Sequence, residues 1–398
     1  METKYSIIGI IILGMLVLSL GYAYYQSQRI YVLKQKIVLG NEKPGYASLR
    51  LSASYHIQVY RRGELIAERT KRNDPISIQW YRMLANMMFG FVHSGSLTWL
   101  DTGGNARSWI DTGFEGYTPE PYIALGSGIG TPSRNDYKLF NLEVYDVATC
   151  YVEDDAANSQ YILIYTKSFT IKKTFILTEV GLELFADVNP HGYFTYAFLL
   201  VAHDSVSPSI NLSIGDVVTV TYQIVIPYNT NGPFTRWFYN ALIKYWLGYR
   251  GPLTLKTESS QTGAIDTGSS DHSSAEDTEQ EYVCVEIGSS TSGINPLFET
   301  YALGNRGKTI GFSDPDFLKE INETNTFTIH YVVSFSFVTA TTISEIGVSY
   351  YTDTYYYESS DRSAYDRYLW LYWSLASPIN VNAGDGLRVE ITIEIPYT

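Results

Sequence analysis

The sequence predicts an all-β protein: two tandem duplicated β-sandwich domains, jelly-roll-like, each with a short helix and preceded by one N-terminal transmembrane helix. Three observations predict it: an internal repeat that keeps its order, strand-period alternation in both repeats, and a charge-free aliphatic opening. At 398 residues the chain is also too long for one ordinary domain.

The repeat comes first. Thr178-Glu179-Val180-Gly181-Leu182, Ser207-Pro208-Ser209-Ile210-Asn211-Leu212, Gly215-Asp216 and VTVTYQIVIPY (218–228) recur in order near the C-terminus. Their partners are Ser344-Glu345-Ile346-Gly347-Val348, Ser377-Pro378-Ile379-Asn380-Val381, Gly384-Asp385 and LRVEITIEIPY (387–397), at offsets of 166 and 169. Upstream, Trp80–Gly90 resembles Trp237–Gly248, Asp111-Thr112-Gly113 matches Asp266-Thr267-Gly268, and Leu125-Gly126-Ser127 matches Ile287-Gly288-Ser289. Chance matches do not hold one order over a domain's length. The layout read from this is an anchor at 1–25, a stalk at 26–45, a first sandwich at 46–231 and a second at 232–398.

Each copy opens with an aromatic-rich segment that reads as a short helix. After it, Val218, Val220, Tyr222, Ile224 and Ile226 in one copy, and Leu387, Val389, Ile391, Ile393 and Ile395 in the other, alternate with their neighbours. Period-two alternation of β-branched and aromatic residues means a strand with one buried face. Tyr161–Ile171 and Phe327–Phe337 read the same way, and Ser54–Arg69 reads as a hairpin turning at Arg62-Gly63. Asn211-x-x-x-Gly215-Asp216 and Asn380-x-x-x-Gly384-Asp385 are turn chemistry before the last strand, since Gly allows φ > 0 and Asx caps the turn. Pro227 and Pro396 end the strands that precede them. Asn73-Asp74-Pro75 leads into the first helix, and Tyr25–Asn41 is a basic, amphiphilic stalk. Glu258–Glu281 carries seven acidic residues and no Lys or Arg. It reads as a solvated insertion, because that composition cannot supply a core.

No charge falls between Tyr5 and Gln28, and Ile7, Ile10, Ile11, Leu13, Leu16, Val17 and Leu20 are its membrane-anchor residues. A helix over Tyr5–Tyr25 spans roughly 31 Å, about a bilayer's hydrocarbon thickness. Tyr5 at one end and Tyr22, Tyr24 and Tyr25 at the other fit an interfacial belt. The competing reading is a cleaved signal peptide, with Gly21-Tyr22-Ala23 as the cleavage site. Lys4 before the span against Arg29, Lys34 and Lys36 after it would place the body inside. Two sequons and an acidic, hydroxyl-rich body place it outside, and the outside is taken.

The net charge of −13 argues against a nucleic-acid partner, which needs clustered Lys and Arg. From Gly251 onward there are 7 basic and 21 acidic residues, so the whole acidic excess sits in the second half. Two cysteines, Cys150 and Cys284, make neither a disulfide-dense scaffold nor a four-cysteine zinc site, and whether they bond to each other stays open.

Chemistry-bearing motifs are weak. Ala302-x4-Gly307-Lys308-Thr309 has the letters of a phosphate loop but lacks a following helix, and Gly126-Ser127-Gly128-Ile129-Gly130 is a loop bend. The six histidines (His56, His93, His191, His203, His272 and His330) show no ligand spacing. Glu179 and Glu345 are expected to be buried and to cap backbone donors. Glu153-Asp154-Asp155 with Asn158, and Asp101 with Asn105, are solvated turns before they are calcium ligands. No catalytic residue, metal or cofactor is assigned. Asn211 and Asn322 stand in glycosylation sequons. Tyr355, Tyr356 and Tyr357, in the Tyr-rich run 350–373, form a candidate interface, since Tyr gives large contact area at low entropy cost.

Arg61-Arg62-Gly63-Glu64-Leu65, Asn73-Asp74-Pro75-Ile76, Ala124–Gly128 with Thr131-Pro132, Thr178–Leu182 and Val220–Tyr228 together resemble β-sandwich structural proteins of viruses, of tail, spike and vertex-turret type. The Tyr/Ile/Ser-rich, Cys-poor composition is similar to proteins of thermophilic archaea and their viruses. The resemblance rests on short motifs across roughly 60–398. It implies a non-enzymatic surface projection of a virion, held in membrane lipid and assembled with copies of itself and other capsid or surface proteins. Host-surface glycan is a further implied partner. The alternatives are a secreted archaeal pilus or thread subunit with an N-terminal donor strand, and a carbohydrate-binding adhesin or hydrolase.

Overall fold

The computed structural model of the chain describes residues 30–31, 46–74, 76–89, 97–108, 119–188, 195–256, 262–266, 282–289, 303, 306–311, 317–323, 326–356 and 364–396. Over these residues the chain is mostly β. Two short strands come first, β1 (Ile30–Tyr31) and β2 (Tyr46–Ser48). The hairpin β3 (Ser52–Arg61) and β4 (Glu64–Asp74) follows, then helix α1 (Ile78–Phe89). Next are β5 (Trp99–Leu100), β6 (Ala106–Arg107), β7 (Glu120–Gly126), β8 (Leu142–Val147), β9 (Thr149–Asp155) and β10 (Gln160–Thr170). The first half closes with β11 (Phe175–Asp187), β12 (Tyr196–Leu212) and β13 (Val217–Pro227).

The second half opens with α2 (Arg236–Ala241), which continues as a π-helical turn, Leu242–Trp246. It goes on through β14 (Leu255–Lys256), β15 (Thr262–Asp266), β16 (Tyr282–Gly288), β17 (Arg306–Gly311) and β18 (Phe317–Asn322). It ends with β19 (Thr326–Ser336), β20 (Thr341–Tyr356), β21 (Ala364–Val381) and β22 (Gly386–Pro396).

The alternation read from the sequence is the alternation of burial: β13, β19 and β22 each bury every second residue, and β10 does so except at Lys167. The hairpin turns at Arg62 and Gly63, whose φ values of 52° and 86° are the left-handed pair that suits a two-residue turn. Pro227 and Pro396 are the last residues of their strands.

Strand order recurs between the halves. One sheet of the first half runs β4-β3-β13-β10-β9 and the other β12-β11-β7-β8. In the second half β22-β19-β18 stands where β13-β10-β9 stands, and β21-β20-β16-β17 where β12-β11-β7-β8 stands. The first-half sheets face each other: buried Tyr222 on β13 donates its hydroxyl to the Val180 carbonyl on β11. One hydrophobic cluster runs through both halves.

Two departures from simple repetition position everything else. The first concerns the edge beside the last strand. In the first half β3 pairs antiparallel with β13. In the second half β1 and β2 fill the equivalent edge by pairing parallel with β22. Part of the segment read as a stalk is therefore strand, and Tyr46–Ser48, placed in the first sandwich by the sequence, extend a sheet of the second half. The chain passes from β2 to β3 through Leu49 and Leu51, both 1% exposed, with the Leu49 amide donating to the Glu394 carbonyl.

The second departure is an exchange of helices. α1 starts on its own half, where Ile76 bridges to Ala202 on β12, and α2 starts on its own, where Phe234 bridges to Leu371 on β21. Each ends under the other half. Tyr331 on β19 donates its hydroxyl to the Phe89 carbonyl at the end of α1 (2.7 Å). Tyr165 on β10, the repeat partner of Tyr331, donates to the Leu247 carbonyl after α2 (2.8 Å). Trp80 donates its indole N–H to the Trp246 carbonyl, and the Tyr81 ring stacks on Phe327 of β19. A Cβ on Gly248 (φ 74°) would lie 2.8 Å from the Pro119 carbonyl oxygen, so glycine is required where the second helix meets the first half.

Other expectations change. The Asx caps of the turns before β13 and β22 are the aspartates: Asp216 accepts from the Ser213 amide and Asp385 from the Asn382 amide. Asn211 lies within β12 instead. Thr262–Asp266 of the acidic insertion form β15, which pairs with the same edge of β20 as β16 does. Cys150 and Cys284 are free thiols. The anchor residues Ile7, Ile10, Ile11, Leu13, Leu16, Val17 and Leu20 lie outside the described residues. Among the described residues, no helix is long and apolar enough to cross a membrane.

Candidate functional site

The repeated Glu-x-Gly element buries a carboxylate beside a close-packed glycine in each half. In β11, a bulge between Leu177 and Glu179 turns Glu179 outward and leaves it 1% exposed. Its Oε1 accepts the amides of Gly128 and Asn141, both at 2.8 Å, and its Oε2 accepts the amide of Phe140 at 2.9 Å. The segment 128–141 is thereby strapped across the sheet face. Leu139 seats over Gly181, where a Cβ would come within 2.5 Å of the leucine methyl. Leu139, Ala124 and Leu200 form a small core of their own beneath the strap. The expectation that Glu179 caps backbone donors holds.

His203, 1% exposed, ties the strap down from the side. Its Nε2 meets Glu179 Oε2 at 2.9 Å and its Nδ1 meets Asp136 Oδ2 at 2.8 Å. Both ring nitrogens face carboxylate oxygens, which accept and do not donate when ionised, so the ring is spent on binding the strap. Burial opposes ionisation of Glu179, yet the hydrogen bonds from His203 and three amides together hold its carboxyl below the ordinary range. Glu183, four residues along the same strand with Gly181 between, has no such donors. Burial pushes it up to about 7, against the pull of His203.

In the second half a bulge between Ile343 and Glu345 repeats the geometry. Leu303 seats over Gly347, with its methyl 2.6 Å from where a Cβ would stand, and groups with Leu369 and Tyr372. Tyr372 takes the place of His203 and donates its hydroxyl to Glu345 Oε1 at 2.9 Å.

Beyond the strap the two faces diverge. On the β12-β11-β7-β8 face, Tyr145, Tyr122, Phe198, Phe185 and Tyr196 join ring to ring across all four strands, with centroids 4.8–6.0 Å apart. Tyr145 and Tyr196 are 48% and 49% exposed. On the other face the cross-strand pair Phe185–Phe198 is replaced by Tyr351–Arg367, the guanidinium lying 5.2 Å from the tyrosine centroid. Arg367 and Arg306 flank the buried Glu286 carboxylate at 3.5 and 3.7 Å.

The remaining sequence candidates are dispersed. Tyr355 and Tyr356 are in β20, paired through the backbone with Ala264 and Gly263 of β15, while Tyr357 lies outside the described residues. Asn211 and Asn322 are both exposed, at the end of β12 and on β18 at the edge of its sheet. Gly307-Lys308-Thr309 lies inside β17 and not before a helix; Lys308 and Ser336 line a cavity of about 300 Å³, with Lys308 Nζ donating to the Ser336 carbonyl at 2.8 Å. Asp155 caps its own turn through Asn158, and Asp101 does so through Asn105 and Arg107. Among the described residues, no group of three or more His, Cys, Asp or Glu side chains is placed to hold a metal ion.

Comparison with protein-family models, curated proteins and solved structures finds no match. Sequence reading missed the aromatic face and the arginine pair. β11 and β12 are apolar toward both faces, so no alternation marks which rings point outward.

Proposed function

We propose that the chain is a non-enzymatic structural protein: two copies of one jelly-roll-like β-sandwich module, held in a membrane by residues 1–25 and displayed as an oligomeric projection on a virion surface. The observation that carries this reading is the way the N-terminal segment enters the body. β1 and β2 pair with the last strand of the chain, and β2 runs straight on into the first sandwich through buried Leu49 and Leu51. A tether woven into both halves transmits position to the whole body, and the exchanged helices stop the halves from moving apart. The repeated Glu-x-Gly element supports a duplicated scaffold, since Glu179 binds a backbone strap and Glu345 accepts from Tyr372, both carboxylates being 1% exposed.

The same pairing favours a second reading, a secreted filament subunit whose N-terminal strand is given to the next molecule's β22 edge. Vesicle flotation after a carbonate wash tests the first. The full chain should float with the vesicles and a chain beginning at residue 26 should not; equal partitioning of the two would remove the anchor. Intact mass of the native protein separates the readings, because loss of about 23 residues belongs to the secreted filament. Negative-stain imaging of the native source should show projections on particles for the first reading and threads for the second.

A further inference from the structure

We propose that the cavity beside Lys308 in the second half is a binding site for a sugar acid, a single hydroxylated ring that carries one carboxylate. Strand order repeats between the halves, so the cavity's positions have counterparts in the first half, and those counterparts are plugs. Phe175, which pairs with Leu212 as Thr341 pairs with Val381, packs against the core. Val144, which faces Leu125 as Lys308 faces Ile287, does the same. With threonine and lysine in these places, about 300 Å³ stays open at the ends of β16, β17, β19 and β20. That is the small end of ligand sites, the scale of one ring. Val338, 91% exposed, stands at the rim, so the cavity opens to solvent.

The first half also shows which group belongs there. At its bulge between Leu125 and Gly126, Glu143 accepts from the Ser127 hydroxyl and pairs with the Lys173 ammonium at 2.5 Å. Lys173 and then Ser127 hold its carboxyl below the ordinary range. The second half repeats the bulge between Ile287 and Gly288, but the bulged residue is Gly307, and Thr339 stands where Lys173 does. The serine is kept as Ser289, the carboxylate is gone, and a cation lines the space. Among the described residues, Lys308 makes no ion pair. Its half-buried Nζ donates to the Ser336 carbonyl at 2.8 Å and has two further N–H groups to give. A ligand carboxylate between Lys308 and Ser289 supplies the missing anion, and the hydroxyls of Thr339 and Thr341 are left to meet those of a ring.

Charge narrows the class. The second half carries 7 basic residues against 21 acidic ones, which repels a multiply charged anion such as phosphate. One carboxylate on an otherwise neutral ring is what a single lysine can offset.

This goes beyond the display role and needs neither the anchor nor an oligomer. The test is isothermal titration of D-glucuronate and D-galacturonate into the full chain in detergent, beside D-glucose, D-galactose, acetate and inorganic phosphate. At least one of the two sugar acids should bind at one site per chain, and the other four probes at least tenfold more weakly. Lys308→Met should weaken that binding at least tenfold, with a melting curve to confirm folding. Gly307→Glu returns the first half's carboxylate to the second. A Cβ there meets only the Ile287 carbonyl oxygen, at 3.4 Å, so the fold accepts the side chain. Sugar-acid binding should then be lost while the melting temperature is kept. The proposal is overturned if neither acid binds the parent, or if a neutral sugar, acetate or phosphate binds as tightly. It is equally overturned if folded Lys308→Met or Gly307→Glu binds like the parent. Vesicle flotation of the parent is indifferent to all these outcomes, so failure here leaves the anchoring reading to its own test.

Discussion

Glu179 and Glu183 lie four residues apart on one strand and respond to pH in opposite senses. The Glu179 carboxyl is held below its ordinary range, so its stabilising effect is complete above the usual carboxylate pKa and is lost as pH falls through the lowered value. The Glu183 carboxyl is raised to about 7, so its contribution is complete below the usual value and is lost as pH rises through about 7. Replacing Glu183 with Gln should flatten the alkaline side. Between pH 5 and 8 the parent should lose on the order of 2–3 kcal/mol relative to the variant in denaturant titrations, and parallel curves would refute the assignment. Gly128→Ala tests the strap: its Cβ would come within 2.4 Å of Glu179 Oε1 and of the Phe140 Cβ, and 2.8 Å from the Asn141 backbone nitrogen. Moving backbone on both sides should cost about 2–3 kcal/mol, read as a lowered melting temperature. The sequence shows that Glu179 and Glu345 recur and must be buried. It does not show what they hold, because Gly128 and Asn141 gain meaning from a loop that crosses the sheet, a contact with no local period.

The same limit governs the elements. β10, β13, β19 and β22 are legible because each has one buried and one wet face, and the Arg62-Gly63 turn is legible because its chemistry is local. β1 and β2, of two and three residues, are too short to carry a period, and their parallel pairing with β22 joins residues far apart in the chain. The helix exchange is hidden for another reason. Trp80–Gly90 and Trp237–Gly248 are alike, so their sequences serve equally well in either half. What selects the exchange is where the chain lets each helix end, under Tyr331 for the first and Tyr165 for the second. Tyr165→Phe and Tyr331→Phe each leave a buried helix-end carbonyl without its donor, so each should cost about 1–2 kcal/mol by equilibrium unfolding. Near-equal losses are expected, because the two bonds occupy equivalent places. A loss confined to one variant would show that one helix is held by other means.

For the whole molecule, a repeat of two sandwiches ordinarily implies two folding units joined by a linker, each with its own core. Here the core is one cluster through both halves, each half holds the other's helix, and the N-terminal strand of the first half's approach completes the second half's sheet. Pulling either half away strips the end of a helix from beneath the partner's sheet and exposes Trp80, Phe89, Phe238 and Trp246, all at most 1% exposed in the assembled fold. Neither half then has a stable folded state to fall back on, so the chain should unfold in one cooperative step despite its length. Scanning calorimetry of the chain beginning at residue 26 should give a single transition with a van't Hoff enthalpy near the calorimetric one. Tyr165→Phe, although it sits in the first half, should shift that transition as a whole and leave no residual peak. Two resolved transitions, with the substitution moving the lower one alone, would mean that the halves melt independently and that the exchanged helices are a docking contact and not a shared core. Of the two outcomes, a single transition is also the one the proposed display role needs, since a second half that opened by itself would uncover the β22 edge that β1 and β2 now fill.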